Sequence, residues 1–280
     1  MSHALPNTEP QSTVHADIAF LVPRPWRPFE YGHDPRPGDP PASTEFEAHR
    51  VLVRDVRAHG ALSLDANGAT LLRWPTAVRN FYDDDEIHGR YYPEAAEMIR
   101  GVLGAARAVV FDHNVRRGAR LDLQTNRYDQ GRPVHRAHTD YTERSAARRL
   151  HDEFGAGARE RAHRRYVQVN LWRPIRAPLR DAPLAICDGA TVTPQGLRPT
   201  DLRYPDRCGE INYLSFEAGQ RWFYASDMST EEAWLFKNFD SAPPGAGGAA
   251  PHSAFDGPRR HVHVPPRESI EVRAFAFFDA

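Results

Sequence analysis

Lysine is almost absent from this chain. Among 36 basic residues only Lys237 is lysine, and the rest are arginine. These are balanced by 37 acidic residues, giving a formal charge of −1. No excess of positive charge is left to make a broad footprint on nucleic acid or an anionic membrane. Cysteine is equally scarce: Cys187 and Cys208 have neither zinc-ribbon nor redox-motif spacing and are expected as plain thiols. At 280 residues the chain buries enough surface to stand without disulfides or a structural metal. No run approaches the roughly 20 apolar residues that span a bilayer. The opening MSHALPNTEP lacks the charged-then-apolar pattern of a secretory leader. Together these absences set the expectation of a cytoplasmic protein with a small-molecule ligand and neither nucleic acid nor membrane as partner. There is also no G-x-S-x-G elbow, no glycine-rich phosphate loop and no regular strand–helix alternation. A doubly wound nucleotide-binding sheet is therefore excluded.

What is present is mostly strand. HADIAFLV, RVLVRDVR, ARAVVFDH, RRYVQVNLW, PLAICD, GEINYLSF, RWFYAS, AWLFKNF and SIEVRAFAFF are β-branched or aromatic and bounded by Pro, Gly or Asp. Helical spacing appears in YPEAAEMIRGVLGAAR, with Pro93 near its start, and in TERSAARRLHDEF, where Thr142 is a plausible N-cap. Many short strands with few helices predict an antiparallel sandwich or barrel. Residues 23–43 are dense in proline and glycine, and 241–250 form a second such stretch, both read as irregular surface loops. The expected organisation is an N-terminal arm over 1–50 packed on one domain over 51–280.

The stretch PVHRAHTDYTERS, Pro133–Ser145, concentrates the chemistry. In an extended strand residues two apart share a face, so His138 and Asp140 would project together, with Thr139 opposite. An imidazole and a carboxylate so placed can take adjacent positions on a metal, and a further histidine would complete a facial triad with open positions. The dipeptide spacing alone is common and leaves an ordinary strand as the alternative. Downstream, His252 lies in PHSAFDGP. In the last strand Arg267, Ser269, Glu271 and Arg273 share one face, and Ile270, Val272, Ala274 and Ala276 the other. One polar and one apolar face suggest a strand that separates a site from packed core. An arginine there can hold a carboxylate through two hydrogen bonds, and a serine hydroxyl can add a third.

The order His-x-Asp, distant His, Arg-x-Ser resembles the iron(II)- and 2-oxoglutarate-dependent oxygenases. The blocks HTDYT, VNLWRPI, PLAICD, GEINYLSF, RWFYASDMSTEEAWLFKNFDS, PHSAFDGP and PPRESIEVRAFAFF are similar to the CmcJ/AsaB-type hydroxylase/desaturase family, over most of Arg107–Phe278. The resemblance implies a mainly β protein, a double-stranded β-helix or jelly roll with flanking helices. It also implies Fe(II) as cofactor, with 2-oxoglutarate and O2 as cosubstrates. His138, Asp140 and His252 fall where that family's iron ligands lie, and Arg267 and Ser269 on the pair that grips the cosubstrate's distal carboxylate. Arg273 is the rival anchor. The implied activity is hydroxylation or desaturation of a small secondary metabolite, with release of succinate and carbon dioxide.

Further pocket candidates are Tyr141, Asn170, Trp172, Trp222 and Tyr224. Asn170 and Trp172 share a face that would look into the barrel, with Arg173 turned away, and for the aromatics core packing is the alternative. His261 and His263 could themselves hold a metal, but no matching carboxylate accompanies them and a loop role is preferred. Two other classes stay open at this point: a non-catalytic β-barrel binding protein, and a cupin-like metal enzyme independent of 2-oxoglutarate. A homodimer is left open as well.

Overall fold

The structure is a computed structural model that describes residues 12–118, 133–242, 248–257 and 264–279. His261 and His263 lie outside the described residues. The strands are β1 (Thr13–Leu21), β2 (Phe29–Tyr31), β3 (Phe46–Asp55), β4 (Ala69–Arg73), β5 (Arg107–Arg117), β6 (His138–Thr139) and β7 (Tyr166–Pro174). They continue with β8 (Leu184–Cys187), β9 (Leu197–Arg203), β10 (Cys208–Leu214), β11 (Trp222–Tyr224), β12 (Glu232–Asp240), β13 (His252–Ala254) and β14 (Glu268–Phe277).

They form two sheets, one ordered β1-β3-β11-β8-β13-β6-β10-β9-β2 and one ordered β4-β12-β7-β14-β5. This is the expected jelly roll. A parallel bridge between Ala19 and Arg136 brings β1 back beside the segment that enters β6, so the large sheet curls round its own apolar filling. That filling includes Val14, Ile18, Phe20, Val53, Cys187, Trp222, Tyr224 and Phe255. A second apolar layer, with Trp172, Trp234 and Phe236 from the small sheet meeting Leu184, Ile186 and Phe223 from the large one, joins the two sheets.

The outer face of the small sheet needs a cover, because Val167, Val169, Leu171, Ile270, Val272, Ala274 and Ala276 project there. The helix Tyr92–Leu103 supplies it with Ala95 and Ile99. Pro93 pre-sets its first turn, and Gly104 ends it in the left-handed region at φ 62°, where a side chain would be strained. The helix Glu143–Phe154 starts as predicted at Thr142, whose hydroxyl accepts from the Ser145 N–H. Leu150 and Phe154 of that helix pack on Tyr166, Phe275 and Phe277. With both faces of the small sheet covered, the inner face of β14 is free to carry polar side chains toward the interior. No helix among the described residues is long and apolar enough to cross a membrane.

Candidate metal centre

Strands β6 and β13 are neighbours in the large sheet, and the register sets His252 directly opposite His138. Their ring centroids are 4.4 Å apart. Asp140 joins them by a route the sequence did not predict. The strand stops at Thr139, and Asp140 sits in a bend just beyond it. Its place is fixed from the small sheet, where Asn238 Oδ1 accepts the Asp140 N–H at 2.9 Å. Asn238 owes its position to a break in register between Lys237 and Phe239 of β12. Such a bulge re-aims the side chain it displaces. The result is that His138, Asp140 and His252 each offer a ligand atom, all within 4.8 Å of one another.

The donor set suits a divalent cation. His138 Nδ1 lies 2.7 Å from the carbonyl of Arg136. A carbonyl only accepts, so Nδ1 carries the proton and the lone pair of the neutral ring is on Nε2. Nε2 lies 3.5 Å from Asp140 Oδ1. His252 is buried, and desolvation, with repulsion from His138, pushes its pKa down to about 3, so its imidazole stays neutral. Its Nδ1 has no hydrogen-bond partner among the described residues. For Asp140, burial favours the protonated form, but the Arg273 guanidinium outweighs it and holds the carboxyl well below its usual range. Two imidazoles and one carboxylate are the hard-to-borderline donors that suit ferrous iron in a facial triad. The side chains of His138 and Asp140 keep 12% and 13% exposure, so the group can be reached from outside.

The inner face of β14 runs past this group. Asn170 of β7 is opposite Arg273, and Trp172 is opposite Glu271. Asn170 Nδ2 and Arg273 Nε each donate to Asp140 Oδ2 at 2.8 Å. Asn170 does look inward as the alternation predicts, but it serves the aspartate rather than an open pocket. Arg273 also donates to Asp112 and Glu271. Farther along the same face, Arg267 is 3% exposed. Its Nε donates to Ser269 Oγ at 3.0 Å and its Nη1 to the Ala182 carbonyl at 2.9 Å. Its guanidinium lies 4.9 Å from the centroid of the Trp172 ring. Among the described residues no carboxylate lies within ion-pairing distance of that guanidinium. Burial, with repulsion from Arg116, pushes its pKa down to about 9.

The remaining candidates divide. Tyr141 follows Asp140 and meets Phe111 edge to face at 6.4 Å. Trp172 is buried beneath Arg267 in the layer between the sheets. Trp222 and Tyr224 do not reach the group. Trp222 is opposite Cys187 and Phe223 opposite Ile186, while His252 is also opposite Ile186. Neighbouring positions face opposite ways. Trp222 and Tyr224 thus fill the curled end of the large sheet, on the other side from His252. As predicted, Arg173 turns away from the interior, against Trp74 and Tyr91.

Two contributors escaped the sequence. Asn238 is one, visible beforehand only as a lone amide in an apolar strand. The other is the pair Glu30 and Arg136: Glu30 accepts from Arg136, Thr44 and Tyr213. That network pins the residue whose carbonyl orients His138.

A family model described as "YDMC: Oxidoreductase/YMDC permease-like domain" matches residues 18–277. The Fe(II)/2-oxoglutarate-dependent dioxygenase nvfI of Aspergillus novofumigatus is 31% identical over 255 residues, covering 88% of this chain and 90% of that one. The hydroxylase/desaturase CTB9 of Cercospora beticola is 30% identical, covering 90% of this chain and 86% of the relative. Among solved structures, the iron and alpha-ketoglutarate-dependent endoperoxidase NvfI superposes with a TM-score of 0.86 at 26% identity, over 96% of this chain and 99% of that one. The chain belongs to the Fe(II)/2-oxoglutarate-dependent dioxygenases, in their hydroxylase/desaturase branch.

Proposed function

We propose that this protein oxidises a small organic substrate, by hydroxylation or desaturation, using Fe(II), 2-oxoglutarate and O2. The observation that carries the reading is the meeting of the His138, Asp140 and His252 donors within 4.8 Å, on an interior face that also holds the buried guanidinium of Arg267. His138, Asp140 and His252 would hold the iron. With its cosubstrates, iron supplies an oxidant able to take a hydrogen atom from an unactivated carbon, with release of succinate and carbon dioxide.

The chain's own residues do the rest. Arg267 would pair with the distal carboxylate of 2-oxoglutarate, and Ser269, whose oxygen already accepts from Arg267, keeps its hydroxyl proton free to donate. Trp172 supports the guanidinium from beneath and keeps water from it. Low local dielectric strengthens such a charge pair. Tyr141, next to Asp140 in the chain and edge to face with Phe111, would form part of the substrate wall. A non-catalytic barrel, or a cupin-like enzyme without the cosubstrate, would leave Arg267 as a buried cation with no anionic partner, which is costly.

Anaerobic addition of Fe(II) and then 2-oxoglutarate to the metal-free protein tests the proposal. A weak visible charge-transfer band is expected, and it should be missing in Arg267→Gln at the same cosubstrate concentration. Metal uptake with no band at saturating 2-oxoglutarate would favour the cupin-like alternative.

A further inference from the structure

We infer that Arg273, together with Asn170, is a positioning residue for Asp140 and takes no part in anchoring the cosubstrate. The inference rests on the reading of His138, Asp140 and His252 as metal ligands.

The argument starts from the two oxygens of one carboxylate. Oδ2 of Asp140 accepts from Asn170 Nδ2 and from Arg273 Nε, both at 2.8 Å. Oδ1 is the atom that faces His138 Nε2, at 3.5 Å. The backbone N–H of Asp140 is held by Asn238 Oδ1. A free carboxylate can ligate through one oxygen or through both. Ligation through both would use four of six octahedral positions for protein and leave too few for a chelating 2-oxo acid and a third reactant. Two donors on Oδ2 disfavour that mode and present Oδ1 alone. Outer partners of this kind orient a ligand and tune its basicity.

The rest of Arg273 is committed elsewhere. Nη1 donates to Asp112 Oδ1 at 2.9 Å and Nη2 to Glu271 Oε1 at 3.1 Å. Each of its nitrogens already meets a carboxylate, so an incoming dianion would have to displace one and would join Asp112, Asp140 and Glu271 as a further negative group. The guanidinium of Arg267, immediately before β14, meets a hydroxyl and a carbonyl instead. Asn170 and Arg273 reach Asp140 together because they are directly paired across β7 and β14.

The test separates metal affinity from cosubstrate affinity in the full-length chain. Fe(II) is titrated anaerobically without 2-oxoglutarate, and 2-oxoglutarate is then titrated into protein saturated with Fe(II). Arg273→Gln is expected to weaken Fe(II) binding by roughly 10–100-fold, Asn170→Ala to weaken it in the same direction, and Arg273→Lys to recover part of the loss. Once metal is saturated, all three should take up 2-oxoglutarate within a few-fold of wild type. Wild-type Fe(II) affinity in Arg273→Gln, with or without loss of 2-oxoglutarate binding, would overturn the inference. A merely structural role would lower the melting temperature and leave Fe(II) affinity alone, which also overturns it. Should Arg273→Gln fail to fold, Asn170→Ala decides, since it leaves every buried charge paired. Failure of the underlying metal reading is visible separately, as a wild-type protein whose Fe(II) binding is absent or is untouched by His138→Ala, and it removes both.

Discussion

Two arginines six residues apart, Arg273 in β14 and Arg267 just ahead of it, meet opposite surroundings. Arg273 is surrounded by carboxylates, and attraction from Asp140, Glu271 and Asp112 overcomes the cost of its burial and raises its pKa. The guanidinium of Arg267, more deeply buried, touches only a hydroxyl and a carbonyl, and desolvation lowers its pKa. A guanidinium is costly to bury without an anion. The first therefore completes a structure, and the second makes sense as half of a pair whose other half is a ligand. Residue type and strand periodicity are identical at the two positions. The difference lies in the acceptors brought up to them: Asp112, Asp140 and Glu271 at Arg273, the Ser269 hydroxyl and the Ala182 carbonyl at Arg267.

The comparison can be broken most severely at the carboxylate itself. Asp140→Ala removes a metal donor and strands Arg273 and Asn170, so Fe(II) binding should fall below detection in an anaerobic titration. Stoichiometric binding at wild-type affinity would remove the metal centre from the account. Arg267→Gln comes next. Loss of one member of a buried charge pair costs about 2–5 kcal/mol, so the apparent 2-oxoglutarate affinity should drop by roughly one and a half to three and a half orders of magnitude. Fe(II) affinity without cosubstrate should not move. If it moved and 2-oxoglutarate affinity did not, the two arginines would have been assigned the wrong way round.

The sequence was most legible where the signal is local. His138 and Asp140 are two residues apart, and the apolar strands β3, β5, β7, β12 and β14 carry their β-branched and aromatic pattern openly. The polar and apolar faces of β14 were readable because alternation is the whole signal there, and Ile270, Val272, Ala274 and Ala276 do share one core. β9, by contrast, reads LRPTDLR and is hidden by Pro199 and its charges, since pairing with β10 and β2 defines it. His252 was noted only for its place in PHSAFDGP, and its role as a ligand came through the resemblance. Asn238 depends on a bulge, and Glu30 with Arg136 on contact between distant segments, which no window of sequence contains. Trp222 and Tyr224 were misplaced for a different reason. Trp222, Phe223, Tyr224 and Ala225 are all buried, so periodicity cannot tell which face looks at the site.

A gentler probe asks whether the support under Arg267 matters. Trp172→Leu keeps the position apolar but removes the ring that faces the guanidinium. A desolvated cation–π contact contributes about 1–2 kcal/mol, so 2-oxoglutarate binding should weaken several-fold up to about thirtyfold. Fe(II) affinity should be unchanged. An effect equal to that of Arg267→Gln would mean that the indole orders more of the site than the guanidinium alone.

The smallest expected effect on the site comes from Trp222, and for that reason it tests the geometry cleanly. Its side chain is fully buried among Phe20, Val53 and Tyr224, on the opposite side of the large sheet from His252. The indole N–H has no acceptor among the described residues, so Trp222→Phe discards no hydrogen bond and leaves a modest void. A core truncation of that size costs about 1–3 kcal/mol, which lowers the melting temperature by several degrees in a chain of this length. Fe(II) and 2-oxoglutarate affinities should both match wild type. A selective loss of cosubstrate or substrate binding with an unchanged melting temperature would place Trp222 in the pocket, and would mean that the curled end of the large sheet opens toward the metal rather than away from it.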